Sequence, residues 1–391
     1  MRCKHLSVAF SHRRRAVVAV QVAVLLVTLV GFAALTIDVG RTYRARAELQ
    51  RAADAAALAG VSAYTTDAMM LIRMGTDDAA TLPSVLQTAT DRINLVSGIN
   101  ATLGMPTIVQ RSDVTSGWID VNSAADVVHP EALPTAYNAL RVAVRRDSTT
   151  GGNGPVDLYF MSMFGKSTVE TGASAVAVFD DRFSGFTVSS IGARLLPFSV
   201  HEDTFSATMV AGSDHYAWDP DVEQVFTGHD RIRELELLDP NNFEVLSIGT
   251  AGMGPQALID QVANGITPTE MEAEIGTSHL DFFDEFGNPV GRHFNSTPGQ
   301  LADLALTLES LEGQVVGFFV HNTVAPGPPG AGSVYGITQI RFGRVMDLRQ
   351  SGEAHHRGFW VQPVSYDGAG VEIAPAAPSS SGLVGRVVLV R

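Results

Sequence analysis

The uncharged stretch AVVAVQVAVLLVTLVGFAALTI, residues 16–37, decides the architecture of this chain. As a helix rising about 1.5 Å per residue it would extend roughly 33 Å, which matches the hydrocarbon core of a bilayer. Arg13, Arg14 and Arg15 precede it, and a short basic flank stays in the cytoplasm under the positive-inside rule. The sequence therefore predicts a single transmembrane pass, with a cytoplasmic basic tail over 1–15 and the bulk of the chain exported.

Two other interpretations of this stretch stay open. A cleavable secretory signal would have a shorter apolar region of about 7–15 residues. A buried core helix would also be apolar, but the arginine flank disfavours it. We expect an uncleaved anchor.

The residues after the span predict that the helix continues beyond the membrane. Asp38, Val39 and Gly40 mark its boundary, and residues 41–64 (RTYRARAELQRAADAAALAGVSAY) are rich in strong helix formers. Gly60 is a candidate for the end of the helix, because glycine is common where helices end. We therefore assign 16–64 to one transmembrane and extended Ala-rich helix.

One face of this helix collects small and polar residues. Small residues let helix backbones approach closely, and polar side chains inside lipid favour a protein partner. The pattern predicts a seam that packs against other membrane proteins or against a second copy of the chain. The alternative is simple alanine abundance, since nine of residues 45–63 are Ala. The seam comprises Gln21, Val24, Thr28, Gly31, Leu35, Asp38, Thr42, Ala45, Leu49, Ala52, Ala56, Ala59 and Ala63.

Taken together, these motifs resemble the N-terminal region of the Flp pilus-assembly TadE/TadG-like family. The likeness rests on the basic flank, the apolar span, the I-D-V-G-R sequence at 37–41 and AELQRAADAAALAG at 47–60. VDLYFMSMFG at 156–165 and the run at 169–178 extend it less specifically. The resemblance implies a bacterial inner-membrane component of the tight-adherence pilus apparatus, with membrane lipid and other pilus-assembly proteins as partners and no catalytic residues.

The chain departs from the pilin-like members of that family at two positions. Gln21 and Ala16 stand where those members carry a glutamate and a glycine cleavage point. We therefore do not expect processing by a prepilin peptidase. We expect an anchored assembly or accessory component, and not a polymerising subunit.

The remaining residues predict an α+β fold with two exported domains. A helix over 82–96 and strands at 107–111, 117–121, 139–146 and 169–179 predict a small pilin-like α+β domain at 65–180. A linker over 180–192 precedes a mostly β domain at 193–391. Its predicted strands are 314–321, 335–342, 358–364 and 387–390, and its predicted helices are 255–263 and 299–311.

Charge and motifs exclude several functions. Residues 1–51 hold nine basic and two acidic residues, and the remainder hold 18 basic and 39 acidic ones. Such an acidic body disfavours nucleic-acid binding. The single cysteine, Cys3, excludes a disulfide framework. No nucleophile elbow, zinc-protease motif or phosphate-binding loop is present. We predict no enzyme activity, no catalytic, cofactor-binding or metal-binding residue, and no cofactor.

Four weaker patterns carry no predicted site: three are interpreted as loops or turns, and the histidine pair as exposed side chains. The acidic cluster has oxygen ligands suited to calcium but lacks EF-hand spacing. It motivates an alternative function, an exported adhesin-like binding protein that uses calcium. An envelope hydrolase of unrecognised type is a third hypothesis. The four patterns are the acidic cluster Asp214, Asp219, Asp221 and Glu223, the run His201-Glu202-Asp203, the glycines Gly249, Gly252 and Gly254, and the pair His355-His356.

Overall fold

The computed structural model describes residues 9–75, 78–122, 127–149, 153–237, 243–249, 255–297, 301–327, 332–349 and 358–390, without the side chains of 9–17, 78–80, 243, 301–303, 305, 349 and 358. The fold is α+β, as predicted. A long N-terminal helix precedes mixed helices and sheets, and strands dominate the C-terminal part. The helices are α1 Ala9–Val61, α2 Asp67–Arg73, α3 Asp78–Ile99, α4 Glu202–Ala211, α5 Pro255–Asn264, α6 Pro268–Ile275 and α7 Leu301–Glu309.

The first helix is the longest element. It has 53 residues, which corresponds to about 80 Å of axis. It passes Gly40 without a break, because strong helix formers continue on the far side. After Val61 the chain tightens into the 3-10 turn Ser62–Thr65. The predicted single helix is thus confirmed, with its end close to the predicted residue 64.

The strands are short in the first half of the chain and longer near its end. They are β1 Val114–Gly117, β2 Ala139–Arg146, β3 Val156–Asp157, β4 Thr168–Val169, β5 Thr171–Asp180, β6 Phe183–Thr187, β7 Arg194–His201, β8 Tyr216–Asp219, β9 Gln224–Thr227, β10 Leu235–Leu237, β11 Phe243–Ser247, β12 His279–Asp281, β13 Arg292–Ser296, β14 Val315–Ala325, β15 Val334–Arg349, β16 Gly358–Pro363, β17 Val371–Ile373 and β18 Arg386–Val390.

The largest sheet closes on itself. Its order is β10-β16-β15-β13-β11-β7-β14, and β14 also pairs with β15. The pairings therefore form a closed circuit of five strands, with β16 and β10 attached to β15. One contact in the circuit, β14 with β7, is parallel. Phe198, Phe294, Phe319 and Phe342 are almost fully buried in the main hydrophobic core.

The chain divides into two compact units that are not successive segments. Unit 1 comprises Met1–Ala56, Ile93–Val114 and Val142–Ala175, and unit 2 comprises Ala57–Arg92, Thr115–Arg141 and Val176–Arg391. These bounds differ from the predicted domains 65–180 and 193–391. Within unit 2 the closing strand β18 pairs antiparallel with Val176–Asp180 of β5. The last strand thus completes a sheet that the sequence had placed in the earlier domain.

Local predictions vary in accuracy. Strand β2 has the predicted bounds, because its apolar residues alternate regularly. The predicted strand 107–111 is irregular and ends in a 3-10 turn, Arg111–Asp113, and β1 lies slightly before the predicted 117–121. The predicted linker 180–192 is wrong, because it contains β6, whose Phe183 and Phe186 are buried.

Candidate functional site where the apolar span ends

The first half of α1 is bare in the single chain. Over residues 18–37, here called the span half, every side chain except Ala34 is exposed; Val27 is 70% exposed and Phe32 65%. The helix is long and apolar enough to cross a membrane. A helix that is apolar all round and that the described residues of the chain leave exposed fits a lipid surrounding. The N-terminal helix therefore fits a single-pass membrane anchor.

One face of the second half of the same helix is buried. Over residues 45–57, here called the alanine half, Ala45, Leu49, Ala52 and Ala56 are completely inaccessible. The chain's own residues cover this part of the seam. The predicted packing of the seam against a partner helix is therefore wrong for the alanine half, where the small residues admit the chain's own backbone and side chains. Only the span part of the seam stays open.

Asp38 lies at the change between the two halves. Its side chain is charged, yet the residue is only 2% exposed. Its carboxylate accepts backbone hydrogen bonds from Tyr159 at 2.8 Å, Phe160 at 2.9 Å and Met161 at 2.7 Å. The three donors open the 3-10 turn Met161–Phe164, which has no side-chain cap of its own. Asp38 thus caps a turn 121 to 123 residues away in sequence, in the role that an N-cap residue normally plays locally.

The capped turn sits at the tip of a small hairpin. Strands β3 and β4 pair antiparallel, and the Leu158 amide donates to the Ser167 carbonyl at 2.8 Å. Residues 158–166 between them, here called the tip loop, end their 3-10 turn at Gly165. That glycine has a φ of +82°, a conformation that favours glycine because it has no Cβ. The hairpin therefore presents a compact loop to Asp38.

An arginine and a tyrosine add a second link between α1 and the tip loop. The Arg41 guanidinium donates to the Tyr159 hydroxyl at 2.7 Å and lies 4.6 Å from the centre of that ring. Arg46 and Lys166 line a cleft close to Asp38. Positive groups thus gather where the apolar span ends.

The tip loop leaves large apolar side chains uncovered. Met163 is 83% exposed, Phe164 81% and Tyr159 58%. Phe164 also lines a cleft with Gly31 and Phe32 of the span half. The apolar surface of the tip loop is therefore continuous with that of the span.

The predicted acidic cluster is dispersed. Asp219 and Asp221 lie at the turn between β8 and β9, where the Asp219 carboxylate accepts from the Asp221 amide at 2.9 Å. Asp214 instead holds the backbone amides of Asp230 and Arg231. Among the residues that the structure describes, no three His, Cys, Asp or Glu side chains are grouped to hold a metal ion.

The other weak patterns have local roles or are not described. The run His201-Glu202-Asp203 begins α4, where His201 Nδ1 accepts from the Asp203 amide at 3.2 Å. The interpretation of that run as a solvated turn is therefore wrong, because it caps a helix. Residues 250–254 and 350–357, which include Gly252, Gly254 and the pair His355-His356, lie outside the described residues.

A serine–histidine pair in the closed sheet has no recognisable pattern in the sequence. Ser199 on β7 and His321 on β14 are 2.7 Å apart between Oγ and Nδ1. Ser199 is 0% exposed and His321 3%. Burial, helped by nearby His201, lowers the pKa of His321 to about 4. An inaccessible serine beside a neutral imidazole supports the sheet more readily than it supports nucleophilic chemistry.

A buried glutamate is the second polar group that the sequence did not reveal. Glu234 is 1% exposed, and its two oxygens accept from the His215 and Tyr216 amides at 2.9 and 2.7 Å. Burial raises the pKa of Glu234 to about 8 against the effect of those hydrogen bonds. Both buried groups lie in unit 2 and are unrelated to the span.

Comparison with known proteins identifies one region. Residues 16–63 match the family model described as Flp pilus-assembly TadE/G-like. No curated protein and no solved structure matches the chain. The match confirms the family resemblance for the helix that carries the span, Asp38 and the buried alanines. It ends before the tip loop, so the structure alone connects that loop to the family region.

Proposed function

We propose that this protein is a non-enzymatic, membrane-anchored component of a tight-adherence (Flp/Tad) pilus assembly or a related cell-envelope apparatus. Its N-terminus is cytoplasmic, it crosses the inner membrane once, and the rest of the chain is exported. One observation carries the proposal: within the family-matched residues 16–63, a bare apolar span passes directly into a buried helix fixed by Asp38. Such a device holds a folded body next to a membrane.

An anchored component is proposed over a polymerising subunit on the character of residue 21. Burial of Ala45, Ala52 and Ala56 leaves the span half for contact with a neighbouring helix, which either kind of component could use. Gln21 is uncharged and cannot form the ion pair that a glutamate would make with a neighbouring amine.

The open part of the seam is the proposed contact for partners. Gln21, Thr28 and Gly31 are exposed on one face of the span half. A Cβ added at Gly31 meets no atom within 4 Å, so another helix has room to approach. The partners would be other pilus-assembly membrane proteins or a second copy of this chain, and not nucleic acid.

A topology experiment tests the anchor. Reporter fusions after Tyr64 and after Arg391 should both report an exported position. The intact mass of the purified protein should equal that of a chain that keeps its N-terminal helix. A cytoplasmic signal from either fusion would overturn the single-pass arrangement. A species that begins near Val17 would show prepilin-type processing instead.

A matched pair of variants tests the partner contact. Gly31→Leu fills the open seam, whereas Ala33→Leu adds a similar side chain to another exposed position of the same helix. In a host that assembles Flp pili, deletion of the gene should abolish surface pili. Ala33→Leu should restore them and Gly31→Leu should not, although both proteins reach the membrane. Full restoration of pili by Gly31→Leu would show that the seam is not the partner contact. Normal piliation of the deletion strain would overturn the pilus function.

A further inference from the structure

We propose that the tip loop inserts into the outer leaflet of the bilayer beside the span and gives the protein a second membrane attachment. The inference rests on the proposed anchor, because it places the loop by reference to the helix. The insertion involves the exposed side chains of Met163 and Phe164 and leaves Tyr159 at the level of the lipid headgroups.

The tip loop lies beside a part of α1 that is within the predicted membrane span. Thr28, Gly31 and Phe32 line one cleft together with Phe160 and Phe164. At about 1.5 Å per residue, positions 28–32 lie roughly 9–15 Å before Asp38 along the helix axis. If the hydrocarbon core ends near Asp38, the side chains beside those positions are already within it. The tip of the loop therefore lies at the depth of the acyl chains.

The chemistry of the loop matches that depth. Met163 and Phe164 are more than 80% exposed in the chain, and their transfer from water to hydrocarbon is favourable. Tyrosine is enriched at membrane interfaces, where its ring is apolar and its hydroxyl stays wet. Arg41 and Lys166, close to Tyr159 and Asp38, are placed to reach the headgroups. Apolar side chains next to cationic ones are typical of an interfacial anchor.

The backbone of the loop is prepared for a dry surrounding. An unsatisfied amide in hydrocarbon is costly, so irregular backbone is rarely placed there. In this loop the Asp38 carboxylate satisfies the amides of Tyr159, Phe160 and Met161. Capping by Asp38, at the end of the span, fixes the loop beside the helix with these three amides already satisfied.

In the protein reconstituted without its pilus-assembly partners, lipid is the occupant of this surface. The loop extends the surface of a helix that lipid surrounds, so acyl chains reach its apolar tip without any further component. A partner helix in the cleft would also cover Phe164. Lipid and a partner helix can be told apart by the access of oxygen to a probe at the loop tip. Oxygen dissolves in lipid but diffuses poorly through packed protein.

Site-directed spin labelling distinguishes these cases. Cys3 is the only cysteine, so Cys3→Ser gives a background for single cysteines in the full chain. The test positions are Phe164→Cys and the more exposed Met163→Cys. Leu29→Cys, in the span half and 61% exposed, is the lipid reference, and Ile99→Cys, at the end of α3 and 77% exposed, is the aqueous reference. Each labelled protein is reconstituted in vesicles of phosphatidylethanolamine and phosphatidylglycerol.

The measurement is the ratio of label accessibility to oxygen and to a water-soluble nickel complex. We expect the ratio at 163 and 164 to lie within about twofold of that at 29 and about tenfold or more above that at 99. High nickel accessibility at 163 and 164 would overturn the insertion. Low accessibility to both reagents would assign the tip to a protein contact and also overturn it. Because the ratio at 29 reports the anchor separately, failure of the loop and failure of the anchor remain distinguishable.

Discussion

The span half and the alanine half of α1 belong to one helix and share one small-residue seam, yet they meet different surroundings. Over 18–37 almost every side chain is exposed, whereas Ala45, Leu49, Ala52 and Ala56 are completely buried. The span half is apolar on all sides. The alanine half carries charged residues such as Arg46 and Arg51 on its exposed faces.

This difference shows what a small-residue stripe signifies. Such a stripe indicates that something approaches the helix closely, but it does not say whether the neighbour is another chain or the same chain. The residues around the stripe carry that information. Where the other faces are apolar, over 18–37, the described residues leave the helix exposed. Where the other faces carry charges, over 45–57, the small residues are buried within the chain.

The largest expected effect comes from removing the group at the boundary. We expect Asp38→Ala to release the tip loop, because three amides lose a charged acceptor. Hydrogen exchange of the Tyr159, Phe160 and Met161 amides should accelerate at least about a hundredfold in the full chain in lipid nanodiscs. The helix itself should remain folded.

Asp54→Ala is the matched control for this variant. Asp54 lies on the same helix and accepts only a surface hydrogen bond from the Gln50 side chain among the contacts described. Its removal should leave the three tip-loop amides unchanged. Equal exchange in both variants would mean that Asp38 does not hold the loop.

The loss of stability in acid should arise outside the span half. That half contains no titratable residue, so pH dependence must arise elsewhere, and buried His321 is the strongest candidate. Its folded pKa of about 4 lies below the usual 6.5. Its contribution to stability is therefore present above pH 6.5 and is lost as the pH falls through 4. The lost unfolding free energy should be about 2 kcal/mol.

Two comparisons isolate that contribution. Glu234 acts in the opposite direction, because its raised pKa of about 8 means that its contribution declines as the pH rises through that value. Denaturant unfolding at pH 7 and pH 4 should therefore be compared between the native chain, His321→Asn and His293→Asn, whose side chain is on an exposed residue. Only His321→Asn should reduce the acid-induced loss. The same loss in all three proteins would exclude His321.

The two halves of α1 should differ in how much unfolding free energy a leucine substitution costs. Ala56→Leu adds three carbons at a fully buried position and should lower the unfolding free energy by about 2 kcal/mol through overpacking. Ala55→Leu, at a partly exposed position, should cost less, and Ala33→Leu in the exposed span half should cost almost nothing. Thermal and denaturant unfolding of the three variants measure the order. Equal costs at 55 and 56 would contradict the burial of one face.

The sequence predicts contacts in this molecule only where a repeating pattern carries them. The apolar run marks the span, and regular alternation gives β2 its bounds. The partner of Asp38 lies more than 120 residues away, and no local pattern records such a distance. In β6, glycine and serine between Phe183 and Phe186 made a buried strand look like a linker. The small-residue seam could be recognised in the sequence, but which residues pack against it depends on the tertiary fold.

The smallest expected effect concerns the ion pair between Arg44 and Glu48, where the alanine half begins. Glu48 accepts from the Arg44 side chain and from the Leu103 amide, at 2.8 and 2.7 Å. The Arg44 side chain is 71% exposed, and exposed pairs of this kind contribute little. Leu103, in contrast, has a φ of +52° in the turn between Thr102 and Met105, so its amide needs a fixed acceptor to hold that conformation.

Glu48→Ala should therefore lower the unfolding free energy by about 1 kcal/mol, since it leaves the Leu103 amide without its acceptor. Arg44→Ala should be indistinguishable from the native chain in the same denaturant titration. Raising the salt concentration should not abolish the effect of Glu48→Ala, because a hydrogen bond to a fixed amide is screened less than a surface ion pair. If the two substitutions had equal effects that both vanished in salt, the ion pair, and not the turn, would be what Glu48 stabilises.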